Sequence, residues 1–133
     1  MNETPASQLI ALRLEQANET IAEARALKEQ GYFRGAINRS YYSMFYAVLA
    51  LTVLKQKSLS KHSAVIAFFD REFVRMGIFD RDLSRRLHFS FERRQTKDYG
   101  ETFAIAVEEA EEAISDATVF VQAISNYLAS QSS

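Results

Sequence analysis

Apolar residues recur along this chain every three or four positions, and nowhere in the strict alternation of a half-buried strand. Ile10, Leu14, Ala17, Ile21 and Ala24 fall on one face of a helix from about Pro5 to Gln30. Thr4 is placed to cap it, and Pro5 takes the first helical position, where a missing N–H costs nothing. Gly31 follows as a left-handed terminator. A second helix is expected from about Phe33 to Lys57. Ile37, Tyr41, Met44, Val48 and Leu51 form its stripe, widened by Tyr42, Phe45, Leu49 and Val53. A helix apolar on most sides lies at the centre of a bundle or meets a second subunit. Gly35, near its start, leaves room for another helix.

The third helix is expected from about Lys61 to Met76, capped by Ser60, ended by Gly77 and burying Ile66, Phe69, Phe73 and Met76. A shorter one follows from about Arg81 to Arg93, with Asp80 as cap and Leu83, Leu87 and Phe91 inward. Residues 94–100 read as a loop or frayed turn. The last helix runs from about Glu101 to Ala129 and is about 40 Å long. Phe103, Val107, Ala110, Ile114, Ala117, Val121, Ile124 and Leu128 line its apolar face. The pattern predicts an all-α fold: one domain over residues 1–133, an antiparallel bundle of four long helices plus a short fifth.

Composition narrows the chemistry. With 133 residues and no cysteine, the chain is long enough for a core and excludes thiolate catalysis, disulfides and cysteine-zinc sites. Nothing approaches the roughly 20 apolar residues that span a bilayer, and Met1 to Pro5 begin no secretory signal. The expectation is a cytoplasmic protein with no membrane association. Net charge is only −1, but its distribution is uneven. Residues 55–97 hold eleven basic against five acidic residues, while residues 98–133 hold seven acidic and no basic ones. A basic face for an anionic partner explains this, and so does an acidic last helix packed against the basic segment.

The densest polar constellation is Arg93-Arg94-Gln95-Thr96-Lys97-Asp98-Tyr99. Its guanidiniums suit phosphate, because each presents a planar fork of donors and stays charged at any relevant pH. A second cluster, Asn38-Arg39-Ser40-Tyr41-Tyr42, opens the most apolar helix. Arg39 either pairs with Asp98 to fix the loop or adds a second cation to the same pocket. Neither His62 nor His88 belongs to a His-x-x-x-His or Glu-x-x-His pair, so no metal or other cofactor is expected. His62 has acid–base chemistry, but nothing in the sequence places it near the loop. There is no glycine-rich phosphate loop.

Three segments together resemble the HEPN domain, in particular a small bacterial and archaeal branch of it. They are Tyr32 to Ala47 (YFRGAINRSYYSMFYA), Lys61-His62-Ser63-Ala64-Val65, and Arg94-Gln95-Thr96-Lys97-Asp98-Tyr99-Gly100. The resemblance runs from about Tyr32 to Leu128. It implies a helical bundle of four to five helices, a homodimer, and in many members a metal-independent RNase of toxin or defence type, often encoded beside a minimal nucleotidyltransferase. It also implies a motif of Arg, four to six residues, then His, brought together from two copies. In that motif Arg holds the scissile phosphate and His moves the proton for attack by the RNA 2′-hydroxyl.

On this chain Arg94 takes the Arg position, with Arg93 as an alternative register. Tyr99 stands where the motif has His. A phenol with a pKa of about 10 is a poor base near neutrality, though it can donate a proton or orient a phosphate. Some toxin relatives carry a Tyr two residues after the His that the partner enzyme modifies with AMP, and here that residue is Glu101. The expected catalytic pair is therefore Arg94 and Tyr99. Arg93, Arg94, Lys97 and Arg39 are the expected phosphate- or nucleotide-binding residues, supported by Asp98 and Asn38. Three functions are open: a nucleotide- or RNA-phosphate-binding module working with a nucleotidyltransferase, a metal-independent RNase with its site at a dimer interface, or a purely structural helical dimer.

Overall fold

A computed structural model describes residues 3–95 and 103–131, the side chains of 103–105 apart. Five helices follow one another: α1 (Pro5–Glu29), α2 (Phe33–Leu54), α3 (His62–Phe69), α4 (Arg81–Gln95) and α5 (Phe103–Gln131), with a π turn, Asp70–Val74, continuing α3. No strand occurs among the described residues. The all-α bundle that the periodicity predicts is the fold observed.

Local chemistry sets the starts and stops. Thr4 Oγ1 accepts the Ser7 N–H at 3.0 Å and Ser7 Oγ accepts the Thr4 N–H at 2.9 Å, so two donors at the start of α1 are satisfied reciprocally. At the other end Gly31 turns left-handed (φ 85°). The Tyr32 N–H reaches Leu27 O at 2.8 Å and the Gly31 N–H reaches Lys28 O at 3.0 Å, closing the helix and folding α2 back on it. Gly35 faces α1 there, and a Cβ at that position would lie 3.2 Å from Leu27 Cδ1.

Two boundaries differ from the sequence pattern. Helix α2 stops at Leu54, three residues early, because Gln56 takes the left-handed turn (φ 58°) that a glycine normally supplies. The helix expected over 61–76 is α-helical only to Phe69. Ser60 is not its cap: Lys61 holds that position and no side chain caps the helix. The π turn then lets Phe73 meet both Phe68, at 5.7 Å between ring centroids, and Phe69, at 6.3 Å.

Helix α2 is the central helix, packed against α1, α3, α4 and α5. Its face of Tyr41, Met44, Ala47, Val48 and Leu51 is fully buried. The polar side chains carried into this core are satisfied by their own helix: Ser40 Oγ donates to Ala36 O at 2.8 Å and Ser43 Oγ to Ser40 O at 2.7 Å. Ala110, Ile114, Ala117, Val121, Ile124 and Leu128 of α5 are buried as expected, together with Phe120, whose ring lies tilted against Phe69 at 5.1 Å between centroids.

Part of the uneven charge is paired between neighbouring helices. Arg86 and Arg93 of α4 face Asp116 and Glu112 of α5, and Lys28 of α1 meets Glu111 at 3.6 Å.

Candidate functional site

Arg94 and Arg93 are neighbours in sequence but serve different surfaces. Both belong to the last turn of α4, which runs two residues beyond the expected end, so Arg94 is helical rather than part of a loop. A helix turns about 100° per residue, which sends the two side chains to different neighbours.

Arg93 faces α5. Its side chain is 8 % exposed, its Nη2 lies 3.6 Å from Asp116 and 3.7 Å from Glu112, and its guanidinium covers Phe89 at 4.4 Å. It is a packed structural cation, not grouped with Arg94. Asp116 also accepts from Arg86 at 2.9 Å, and Arg86 reaches Asp82 at 2.7 Å. Burial pushes the Asp116 carboxyl above its ordinary range, and Arg93 and Arg86 pull it partly back.

Arg94 faces α2 and is half-buried. Its guanidinium carbon lies 4.9 Å from the centre of the Tyr41 ring, 5.3 Å from Phe91 and 5.6 Å from Tyr42. Its Nη1 donates to the Tyr42 hydroxyl at 3.3 Å. Three rings thus form a collar around one cation, an attractive arrangement for a planar, weakly hydrated guanidinium. Arg39 covers Tyr42 as well, at 5.0 Å, meets Glu23 at 3.6 Å and donates to Asn38 at 3.4 Å. Of the expected phosphate-binding residues, Arg94 and Arg39 therefore gather around Tyr42, with Asn38 beside them. Lys97, Asp98 and Tyr99 lie outside the described residues.

His62, at the first position of α3, completes the cluster. Its ring stacks on Phe45 at 4.3 Å, lies 5.6 Å from both Tyr41 and Tyr42, and is 6.1 Å from Phe91. Three of these four rings also line Arg94. Its Nδ1 is 2.6 Å from the Tyr41 hydroxyl. Burial pushes the Tyr41 phenol far above its usual range, against the pull of Arg94, so it remains protonated. Burial, and then the charge of Arg94, push the His62 imidazole below its ordinary value. In the neutral ring one proton makes the short contact, from either side. Once the ring is protonated, Nδ1–H must donate to the Tyr41 oxygen.

Sequence reasoning recognised the proton chemistry of His62 but not its location. In sequence Tyr41 and Tyr42 belong both to the apolar stripe of α2 and to the polar cluster with Asn38, Arg39 and Ser40, and neither pattern places them beside His62. The available signal was the pair of segments carrying them, since both belong to the family-like pattern. Among the described residues, no group of three or more His, Asp or Glu side chains is placed to hold a metal, and no helix is long and apolar enough to cross a membrane.

Comparison with known proteins agrees with this architecture. The family model described as "HEPN domain" matches residues 10–127. A Thermotoga maritima protein named "UPF0332 protein" is 40 % identical over 108 residues, covering 81 % of this chain and 82 % of its own. Two Methanocaldococcus jannaschii proteins carry the name "putative toxin". One is 33 % identical over 118 residues, covering 89 % of this chain and 80 % of its own. The other is 34 % identical over 115 residues, covering 86 % and 85 %.

Proposed function

This chain belongs to the HEPN domain family, and from that premise we propose that it binds the phosphate of RNA or a nucleotide at Arg94, as a homodimer acting with a nucleotidyltransferase. The observation that carries the reading is the collar of Tyr41, Tyr42 and Phe91 around the Arg94 guanidinium. The rings hold the guanidinium from the side through its flat face, and its planar fork of donors suits a phosphate. A guanidinium so placed is pre-organised, so less side-chain entropy is lost when it meets a phosphate. Arg39 adds a second cation around Tyr42. Lys97 and Tyr99 follow Arg94 by three and five positions.

The second reading is a metal-independent RNase with a site shared between two copies. It is favoured by the toxin name of the archaeal relatives and by an imidazole in the same aromatic cluster as Arg94.

One experiment separates the two. Purified protein and Arg94→Ala are incubated with a mixed-sequence RNA in EDTA, with binding followed by anisotropy and products by mass spectrometry. Binding without turnover, lost in the variant, is the expected result. Turnover in EDTA, lost in the variant, selects the RNase. Neither binding nor turnover by the folded wild-type protein rejects both. Light scattering at micromolar concentration checks the dimer, and a monomeric mass would contradict it. Failure of a nucleotidyltransferase encoded beside this chain to co-purify on co-expression would contradict that partnership.

A further inference from the structure

We propose that His62 is the second, protonatable half of the anion site at Arg94, so that a phosphodiester bound there is accompanied by proton uptake on the imidazole. The inference rests on the phosphate-binding reading of Arg94 and adds to it a residue and a pH dependence.

Geometry carries the case. His62 and Arg94 come from different helices, α3 and α4, yet share the rings of Tyr41, Tyr42 and Phe91. The titratable groups that face His62 are Tyr41 and Tyr42 from α2 and Arg94 from α4. Lys61 precedes it on its own element. Among the described residues, Arg94 is the charged group that acts on the ring, and no carboxylate does.

An imidazole beside a guanidinium, half-buried among aromatic rings, is disfavoured as a cation. A phosphodiester reaching Arg94 brings a negative charge within range of both groups and raises the preference for the protonated ring. Tyr41 is fitted to either state: its hydroxyl donates to Nδ1 of the neutral ring, or its oxygen accepts Nδ1–H of the protonated one. Nε2, the nitrogen not used by Tyr41, is then the one that donates to a phosphate oxygen.

The sign follows from linkage. If the anion prefers the protonated ring, affinity rises as pH falls through the His62 pKa of the complex, and it levels off below the pKa of the free protein. Each unit by which the anion raises that pKa corresponds to tenfold in affinity.

The test uses a 2′-O-methyl oligouridylate, which cannot be cleaved by 2′-hydroxyl attack, with a rhodamine-type label insensitive to pH. Wild-type protein, His62→Gln, Arg94→Ala and His88→Gln are titrated between about pH 5.5 and 7.5, with folding checked by circular dichroism. Wild type should tighten by about fivefold on acidification, and His88→Gln should do the same. His62→Gln should be flat within about twofold, and Arg94→Ala weak throughout.

Imidazole NMR of the wild-type protein gives a reading independent of any variant: adding the oligouridylate should raise the His62 pKa by about one unit. A His62 pKa in the free protein at or above the ordinary value of about 6.5 would mean that a carboxylate already pairs with it, and would overturn the inference. Binding that is equally strong at every pH would overturn it too, while leaving the phosphate-binding reading intact. Absence of binding at every pH removes both.

Discussion

Replacing Asp116 by alanine tests the division of labour between the two adjacent arginines. The carboxylate is shared: Arg86 reaches it at 2.9 Å and Arg93 at 3.6 Å. Arg93 is the more dependent, because its side chain is only 8 % exposed. Breaking a fully buried pair from one side costs roughly 3–5 kcal/mol. Here Asp116 keeps 20 % of its side chain exposed, Arg86 keeps Asp82 at 2.7 Å, and Arg93 keeps Glu112 at 3.7 Å. Those remaining partners reduce the expectation to about 2 kcal/mol. With a urea slope of about 2 kcal/mol per molar, the unfolding midpoint should fall by about 1 M with the slope unchanged. Asp116→Asn should cost less, since burial already disfavours the ionised carboxyl and an amide can still accept from Arg86. Arg93→Ala should cost a similar amount to Asp116→Ala, and the double variant should fall short of the sum by about 1 kcal/mol. An Asp116→Ala protein within about 0.5 kcal/mol of wild type would refute the reasoning.

Other expectations concern the frame around the site. Asp70 accepts from Ser84 at 2.6 Å and meets His88 at 2.6 Å, tying the π turn to α4; Asp70→Ala should cost about 1–2 kcal/mol by urea unfolding, and an unchanged midpoint would show the tie to be idle. Gln56→Gly should raise stability by about 1 kcal/mol, because glycine adopts the left-handed turn without penalty, and a loss would contradict the strain assigned there. His62, depressed by burial and Arg94, should contribute stability that is complete above the unfolded value near 6.5 and lost as pH falls through the folded pKa. His62→Gln should therefore flatten the fall in melting temperature between about pH 7 and 5, and an equally steep fall in the variant would place the titration elsewhere.

The helices were legible because each buries one regular face. The stripe of α5 from Ala110 to Leu128 is a 3.6-residue repeat that only a helix satisfies, and Thr4, Gly31, Asp80 and Gly77 mark ends by side-chain or backbone chemistry readable from residue type. Gln56 was not legible as a stop, since residue type does not signal a left-handed turn at a glutamine. The π turn was hidden for a related reason: Phe68, Phe69 and Phe73 fit a plain helix equally well, and the choice is made by what surrounds them. At the site, residue type marks Arg94 as suited to phosphate but does not separate it from Arg93, because only the orientation of α4 against α2 and α5 decides which neighbours each guanidinium meets. The place of His62 beside Arg94 was not legible, because the 32 positions that separate them in sequence are closed only by the packing of α3 and α4 on α2.

The claim at the centre of this account is that Arg94, and not its neighbour, holds a phosphodiester. Anisotropy titrations of the 2′-O-methyl oligouridylate with Arg94→Ala and Arg93→Ala, side by side near neutral pH, address it directly. A charge-assisted contact of about 1.5–3 kcal/mol predicts a loss of at least tenfold for Arg94→Ala, with Arg93→Ala within about twofold of wild type. Equal losses in the two variants, or a larger one for Arg93→Ala while both remain folded, would contradict it.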